Sequence, residues 1–247
     1  MQSSSGCLLV LLCVTPFADG ADRKGELFES WEQAQRGIRS LVVEFTLETT
    51  DPVYKTRDKA TGTLRLMRTR KGEVLASYEV ISKRPRGDKP ERFHSLLHGG
   101  LIYLLNHDNK SAIRFELAGG DTRGFLETHF NPFVVLLDRK HAEEKCEVKV
   151  AKQDEWYTYL AVKPRVKTQG WSSLNLKEGR IVLMNKASED VPKDMPTLLW
   201  YTDGLYQFTL RIKTWRLNAD ALKVEEFAKP EDRPGWVVVE SPFQRKK

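Results

Sequence analysis

The spacing of apolar residues changes period along this chain, and each period names an element. From Glu26 to Arg39, Leu27, Trp31, Ala34 and Ile38 recur at helical spacing and mark one stripe of an amphipathic helix. The period then becomes two. Leu41, Val43, Phe45 and Leu47 fall on one face of a strand, and Glu44, Thr46 and Glu48 on the other. Gly62 to Arg68 alternates in the same way, as do Val74, Ala76, Tyr78 and Val80. Further alternating runs lie at 91–97, 101–105, 112–117, 147–150, 156–162, 173–176, 180–184, 197–202, 206–212 and 236–239. Gly99-Gly100, Asp108-Asn109, Gln153-Asp154, Glu178-Gly179 and Asp203-Gly204 punctuate them as turns. About eleven or twelve short strands in hairpin succession predict an antiparallel meander within an α+β, mostly β, fold.

One segment departs from this rhythm. Asn131-Pro132 reads as an N-cap with proline at the first helical position, and Phe133, Leu136, Leu137 and Lys140 follow at helical spacing. The pattern predicts a short helix over 132–141. Burying this inventory most simply requires a curved sheet whose concave face is covered by the two helical segments, with an apolar cleft between them.

Composition refines the picture. The chain has 247 residues, 40% apolar and 30% charged, with 6 Trp, 7 Tyr and 11 Phe, enough greasy surface for a core and incompatible with disorder. No linker or repeat divides it, so residues 21–247 read as one domain. Leu8 to Leu12 and Val14 form an uncharged run too short to span a bilayer, followed by Ala18-Asp19-Gly20. That is the pattern of a secretory signal peptide over 1–20, cleaved near Gly20, and it places the mature chain in the periplasm. Cleavage takes Cys7 and Cys13 and leaves Cys146 alone, so no disulfide framework is expected. It also removes one acidic and no basic residue, raising the formal charge from +6 to +7. The basic cluster Lys83, Arg84, Arg86, Lys89 and Arg92 surrounds Pro85, Gly87 and Pro90, which reads as a solvated loop or an attraction for anionic headgroups or an acidic partner. Export and this placement argue against nucleic acid.

Reactive constellations are weak. No nucleophile elbow, phosphate loop, dinucleotide glycine pattern or H-E-x-x-H occurs. His98-Gly99-Gly100 reads as a hairpin turn. His94 and His98, four apart, would share a metal on a helix; on a strand they stand roughly 13 Å apart. Cys146 reads as a small buried apolar group. No enzyme activity, metal or cofactor is expected. Arg68 stands out because Gly62, Leu64 and Leu66 share its face. A guanidinium ending an apolar series either meets a carbonyl, a carboxylate or a ligand head, or reaches past the strand end to solvent.

Several segments, in order, resemble the periplasmic outer-membrane lipoprotein carrier (LolA-like) family. They are Ile38 to Phe45, Gly62 to Arg68, His98 to Asn106, Asn131 to Leu137, and Phe227-Ala228-Lys229-Pro230 followed by Gly235-Trp236-Val237. The resemblance implies an incomplete (half) β-barrel of about eleven strands with helices over its concave face. It implies a cavity for acyl chains, with Arg68 at the position of that family's functional arginine. The ligand-contacting set expected here is Arg68, Leu64, Leu66, Val43, Phe45, Tyr78, Phe133 and Leu136. The expected activity is that of a monomeric, exported binder or carrier of lipid or lipoprotein acyl chains. An envelope protein-interaction or stress-sensing module of the same fold is the alternative, motivated by the basic stretch and by Thr69-Arg70-Lys71-Gly72 where that family has proline after the arginine.

Overall fold

Within each half of the chain the period-two segments pair as hairpins with their sequence neighbours. The computed structural model describes residues 20–82, 90–116, 146–165, 177–218 and 222–241. Helix α1 (Gly20–Gly37) leads into β1 (Ser40–Asp51), β2 (Thr56–Arg68), β3 (Val74–Ser82), β4 (Glu91–His98), β5 (Leu101–Asn106) and β6 (Ser111–Glu116). The chain continues as β7 (Cys146–Gln153), β8 (Tyr157–Pro164), β9 (Glu178–Met184), β10 (Pro196–Thr202) and β11 (Gln207–Leu217), and ends in β12 (Val237–Glu240). Among the described residues these twelve strands make one open sheet, ordered β12-β6-β5-β4-β3-β2-β1-β11-β10-β9-β8-β7. All pairings are antiparallel except β12 on β6, which is parallel.

Strand β1 joins the two halves. It pairs along its length with β2 and with β11, so Leu41 lies opposite both Leu66 and Leu217, and Val43 opposite both Leu64 and Trp215. Following the register outward puts Val43, Phe45, Leu64, Ala76 and Leu97 on the same face as Leu199, Leu210, Ile181, Val162 and Val148. These residues form one buried cluster, which Leu27 and Phe28 of α1 join. The helix is fastened at two places. Ser30 donates to Asp194 Oδ2 at 3.3 Å, and Asn218 donates from Nδ2 to Gly37 O at 3.0 Å while accepting from the Arg39 N–H at 2.7 Å. Asn218 thereby satisfies a carbonyl at the helix end and the first free amide beyond it.

The sheet curls toward this face. Tyr78 on β3 and Tyr201 on β10 are separated by β2, β1 and β11, about 19 Å in a flat sheet at 4.7–4.9 Å per strand. Yet Leu27 and Phe28 of helix α1 share one buried cluster with residues of this face from Leu97 on β4 to Cys146 on β7, as a sheet curled around them requires.

Three glycines are required by this geometry. The Phe45 ring covers Gly62, its cross-strand partner, so closely that a Cβ there would lie 2.2 Å from Phe45 Cζ. Gly99 and Gly100 have φ of +62° and +74°, the left-handed pair a two-residue hairpin needs to join β4 and β5.

Three expectations need correction. The expected cover of two helices over the concave face is not what the described residues show: α1 is their single α-helix, and 132–141 lies outside them, as do residues 1–19, the basic loop 83–89 and the run 173–176. Glu178-Gly179, read as a turn, instead begins β9, with Gly179 opposite Tyr201 and Val162; a glycine inside a ladder looks like a turn from sequence alone. The C-terminal segment, read only as a closing strand, covers the other face. Two 3₁₀ turns, Val224–Phe227 and Pro230–Asp232, set Phe227 into a second buried cluster with Leu75, Leu96, Tyr103, Leu105 and Ala112. Strands β3 to β5 are thus apolar on both faces, and the second face requires its own cover.

Candidate functional site

The concave face carries most of the expected ligand-contacting residues. Val43, Phe45, Leu64, Leu66, Tyr78 and Arg68 all lie on it by register. Val43, Phe45 and Leu64 are buried, Leu66 and Tyr78 are partly buried, and Arg68 is exposed at the end of β2, opposite Val74. Its backbone N–H donates to Arg39 O at 2.7 Å, extending the ladder past the last strand residue. Phe133 and Leu136 lie outside the described residues.

Aromatic rings organise the floor. Phe45 stacks on Tyr78 with centroids 5.9 Å apart, and Tyr78 meets the edge of Phe93 at 6.2 Å. Across the hollow Tyr201 stacks on Phe208 at 4.7 Å, and Phe208 contacts Tyr206 at 6.4 Å. Trp215 anchors this wall by donating its indole N–H to Pro196 O at 2.8 Å. Alternation in 197–202 and 206–212 already put Leu199 and Tyr201, and Phe208 and Leu210, on common faces; what the sequence does not reveal is that register joins these to the face of Tyr78.

The buried hydroxyls here are neutral. Burial pushes Tyr78 up to about 12 and raises Tyr201 further in the same direction. Ser95 lies directly opposite Tyr78 on β4, is 0% exposed, and its hydroxyl has no hydrogen-bond partner. An apolar wall with a few uncharged hydroxyls suits a hydrocarbon chain with a small polar feature. Among the described residues no group of three His, Cys, Asp or Glu is placed to hold a metal.

The opposite face has a different chemistry. A hollow of about 140 Å³ lies between Glu44, Thr61, Thr63, Glu79 and Lys213, too small and too polar for an acyl chain. Farther along, Ser77 Oγ and His94 Nε2 are 2.9 Å apart, and His94 Nδ1 and His107 Nε2 2.8 Å. Burial pushes His94 down to about 3, helped by His107 and by the cations Arg92, Arg233 and Arg65; burial and Arg92 lower His107 too. His98 instead bonds the Phe227 carbonyl at 2.7 Å, and Arg233 donates twice to Ala228 O and lies over Trp236. His107 meets the same indole edge-on at 5.4 Å. The His98–Phe227 and His107–Trp236 contacts fasten the C-terminal segment to the sheet. The His94–His107 pairing was not legible, because His107 lies in the turn after β5 and comes beside His94 only through the β4–β5 register.

No family model matches the chain, and no curated protein matches it. Solved structures do. LprF from Mycobacterium bovis is 11% identical, covering 86% of this chain and 99% of its own, with a TM-score of 0.41. An uncharacterized conserved protein from Thermus thermophilus is 9% identical, covering 89% and 99%, with a TM-score of 0.47. A domain described as an outer membrane lipoprotein-sorting protein, from Vibrio parahaemolyticus, is 11% identical, covering 82% and 94%, with a TM-score of 0.41.

Proposed function

We propose that the chain is an exported binder of lipid or lipoprotein acyl chains, held against the concave face of the open sheet. The observation that carries this reading is the composition of that face. Aliphatic residues on β1, β2, β9, β10 and β11 form one apolar surface, and the hydroxyls set into it (Tyr78, Tyr201 and Ser95) are neutral. Each methylene removed from water contributes about 0.8 kcal/mol, so a single acyl chain supplies most of the affinity without any ionic contact. Arg68, exposed at the end of the Leu64–Leu66 series, is placed to meet a ligand's polar head at the rim, where a guanidinium keeps its hydration until a head arrives.

Native mass spectrometry of the protein taken from its own host's envelope tests this, together with displacement of a fluorescent fatty acid. Bound lipid and competitive displacement are expected. A protein that carries no lipid and displaces no probe would end the reading.

One observation favours a second reading, an envelope interaction module. Strand β12 is an edge of the sheet, and Val237 and Val239 are exposed beside exposed Ile113. An apolar edge strand invites pairing with another chain. A stoichiometric protein partner recovered by pull-down, and unaffected by filling the concave face with fatty acid, would favour this module over the carrier.

A further inference from the structure

Two hairpin tips stand side by side at one end of the sheet. Strands β1 and β11 pair to Thr50↔Gln207, so the β1–β2 turn and the β10–β11 turn emerge together, about 10 Å apart at two strand spacings. They share one design: Asp51-Pro52-Val53-Tyr54 and Asp203-Gly204-Leu205-Tyr206 each read aspartate, turn former, aliphatic, tyrosine. In both, the aspartate Oδ1 accepts two backbone N–H groups. Val53 and Tyr54 donate to Asp51 at 2.8 and 3.0 Å, and Leu205 and Tyr206 to Asp203 at 2.8 and 2.7 Å. The apolar side chains then point away from the protein: Val53 is 76% exposed, Tyr54 79% and Leu205 70%.

We infer that these paired tips dock the protein on a lipid bilayer surface, with Val53 and Leu205 entering the headgroup–acyl boundary and Tyr54 at headgroup level. Three observations select a bilayer as the occupant. First, backbone amides that reach the acyl boundary must already be satisfied, since hydrocarbon offers them no partner. Here Pro52 has no N–H, those of Val53 and Tyr54 are bound by Asp51, and those of residues 203 to 206 are all bound within the turn, to Tyr206 O, Thr202 Oγ1 and Asp203 Oδ1. A sheet-adding protein partner would need free amides instead. Second, aliphatic and tyrosine side chains on a rigid tip are the types that partition into the interface. Each tip also carries a lysine for lipid phosphate: Lys55 on the first, and Lys177, whose chain lies against Gly204, on the second. Exposed Asp58 and Glu178 flank them, so the attraction to anionic lipid is modest and apolar insertion carries the docking. Third, the second tip is continuous with the concave face through the row Tyr206, Phe208, Tyr201. The docked end is therefore the end from which a lipid would reach the proposed site.

The test is flotation of the full-length mature protein with vesicles of phosphatidylethanolamine and phosphatidylglycerol. Wild type should float with the vesicles, and Val53→Ser/Tyr54→Ser or Leu205→Ser should each lower binding roughly tenfold. The control Val237→Ser/Val239→Ser removes comparable exposed apolar surface at β12 and should bind like wild type. Melting temperatures of all variants should match, because every replaced side chain is exposed. Absence of wild-type binding, unchanged binding in both tip variants, or an equal loss in the β12 control would each overturn the inference. This docking is separable from the acyl-binding reading. Tip variants should still displace a fluorescent fatty acid in vesicle-free solution; if wild type displaces none, that reading fails while tip-dependent flotation still decides the docking.

Discussion

Replacing Gly62 with alanine probes the floor of the concave face at its tightest contact. The new Cβ would lie 2.2, 2.4 and 2.9 Å from Phe45 Cζ, Cε2 and Cε1, well inside any tolerated approach. Phe45 is buried at 3% exposure and stacks on Tyr78, so its ring can yield only by displacing Tyr78 or leaving its rotamer. Overpacking of this kind costs about 1–3 kcal/mol, against a gain of about 0.5–1 kcal/mol from the lower backbone entropy of alanine in a strand. Gly62→Ala is expected to lose about 1–2 kcal/mol in urea denaturation. The clash also predicts its own rescue. Phe45→Ala alone opens a cavity and costs about 3–5 kcal/mol, but beside Gly62→Ala the added methyl meets no ring. The double variant should therefore be more stable than the sum of the singles by at least about 1 kcal/mol. A Gly62→Ala protein as stable as wild type, or a strictly additive pair, would show that the ring does not cover Gly62.

The remaining expectations concern charge and ligand. His94 has its folded pKa depressed to about 3 against an unfolded value near 6.5, so its contribution is complete above about pH 6.5 and is lost as pH falls toward 3, because the unfolded chain takes a proton the folded chain refuses. Denaturation between about pH 7 and pH 5 should show stability falling by up to about 1.4 kcal/mol per pH unit from this group, and His94→Gln should flatten that slope; an identical slope in the variant would exclude His94 as its source. Leu64→Asp puts a carboxylate on a residue 5% exposed and should cost several kcal/mol and abolish fatty-acid displacement. A melting temperature equal to wild type would place Leu64 off the core face. Arg68→Leu should leave stability within about 1 kcal/mol, since the side chain is exposed, and should slow release of a bound acyl probe by removing a polar exit contact; equal off-rates would take Arg68 out of the site.

Much of the sheet was legible because period two is a direct consequence of strand geometry. Alternation around Val43, Leu64, Ala76 and Leu199 marked both the strands and the buried face, and the turn residues at Gly99-Gly100 and Asp203-Gly204 marked the hairpins. Three things were hidden, each for a physical reason. In β3 to β5 both faces are buried, so polarity no longer reports which face a residue occupies; Ser77 and His94 sit buried where alternation alone assigns no cover. That Tyr78 and Tyr201 share one face depends on register carried over four strand pairings, and no single segment encodes it. Of the two tips only Asp203-Gly204 stood out as a turn, and that Val53 and Leu205 emerge together depends on which strands lie beside each other.

The central claim is that a hydrocarbon chain lies along the concave face, and photo-crosslinking with a diazirine-bearing fatty acid tests it most directly. After illumination and proteolysis, adducts should concentrate on Val43, Leu64, Leu66, Tyr78 and Tyr201, and excess unlabelled fatty acid should suppress them. Labelling that is absent, that resists competition, or that falls on Leu75, Leu96 and Phe227 of the opposite face would contradict the account.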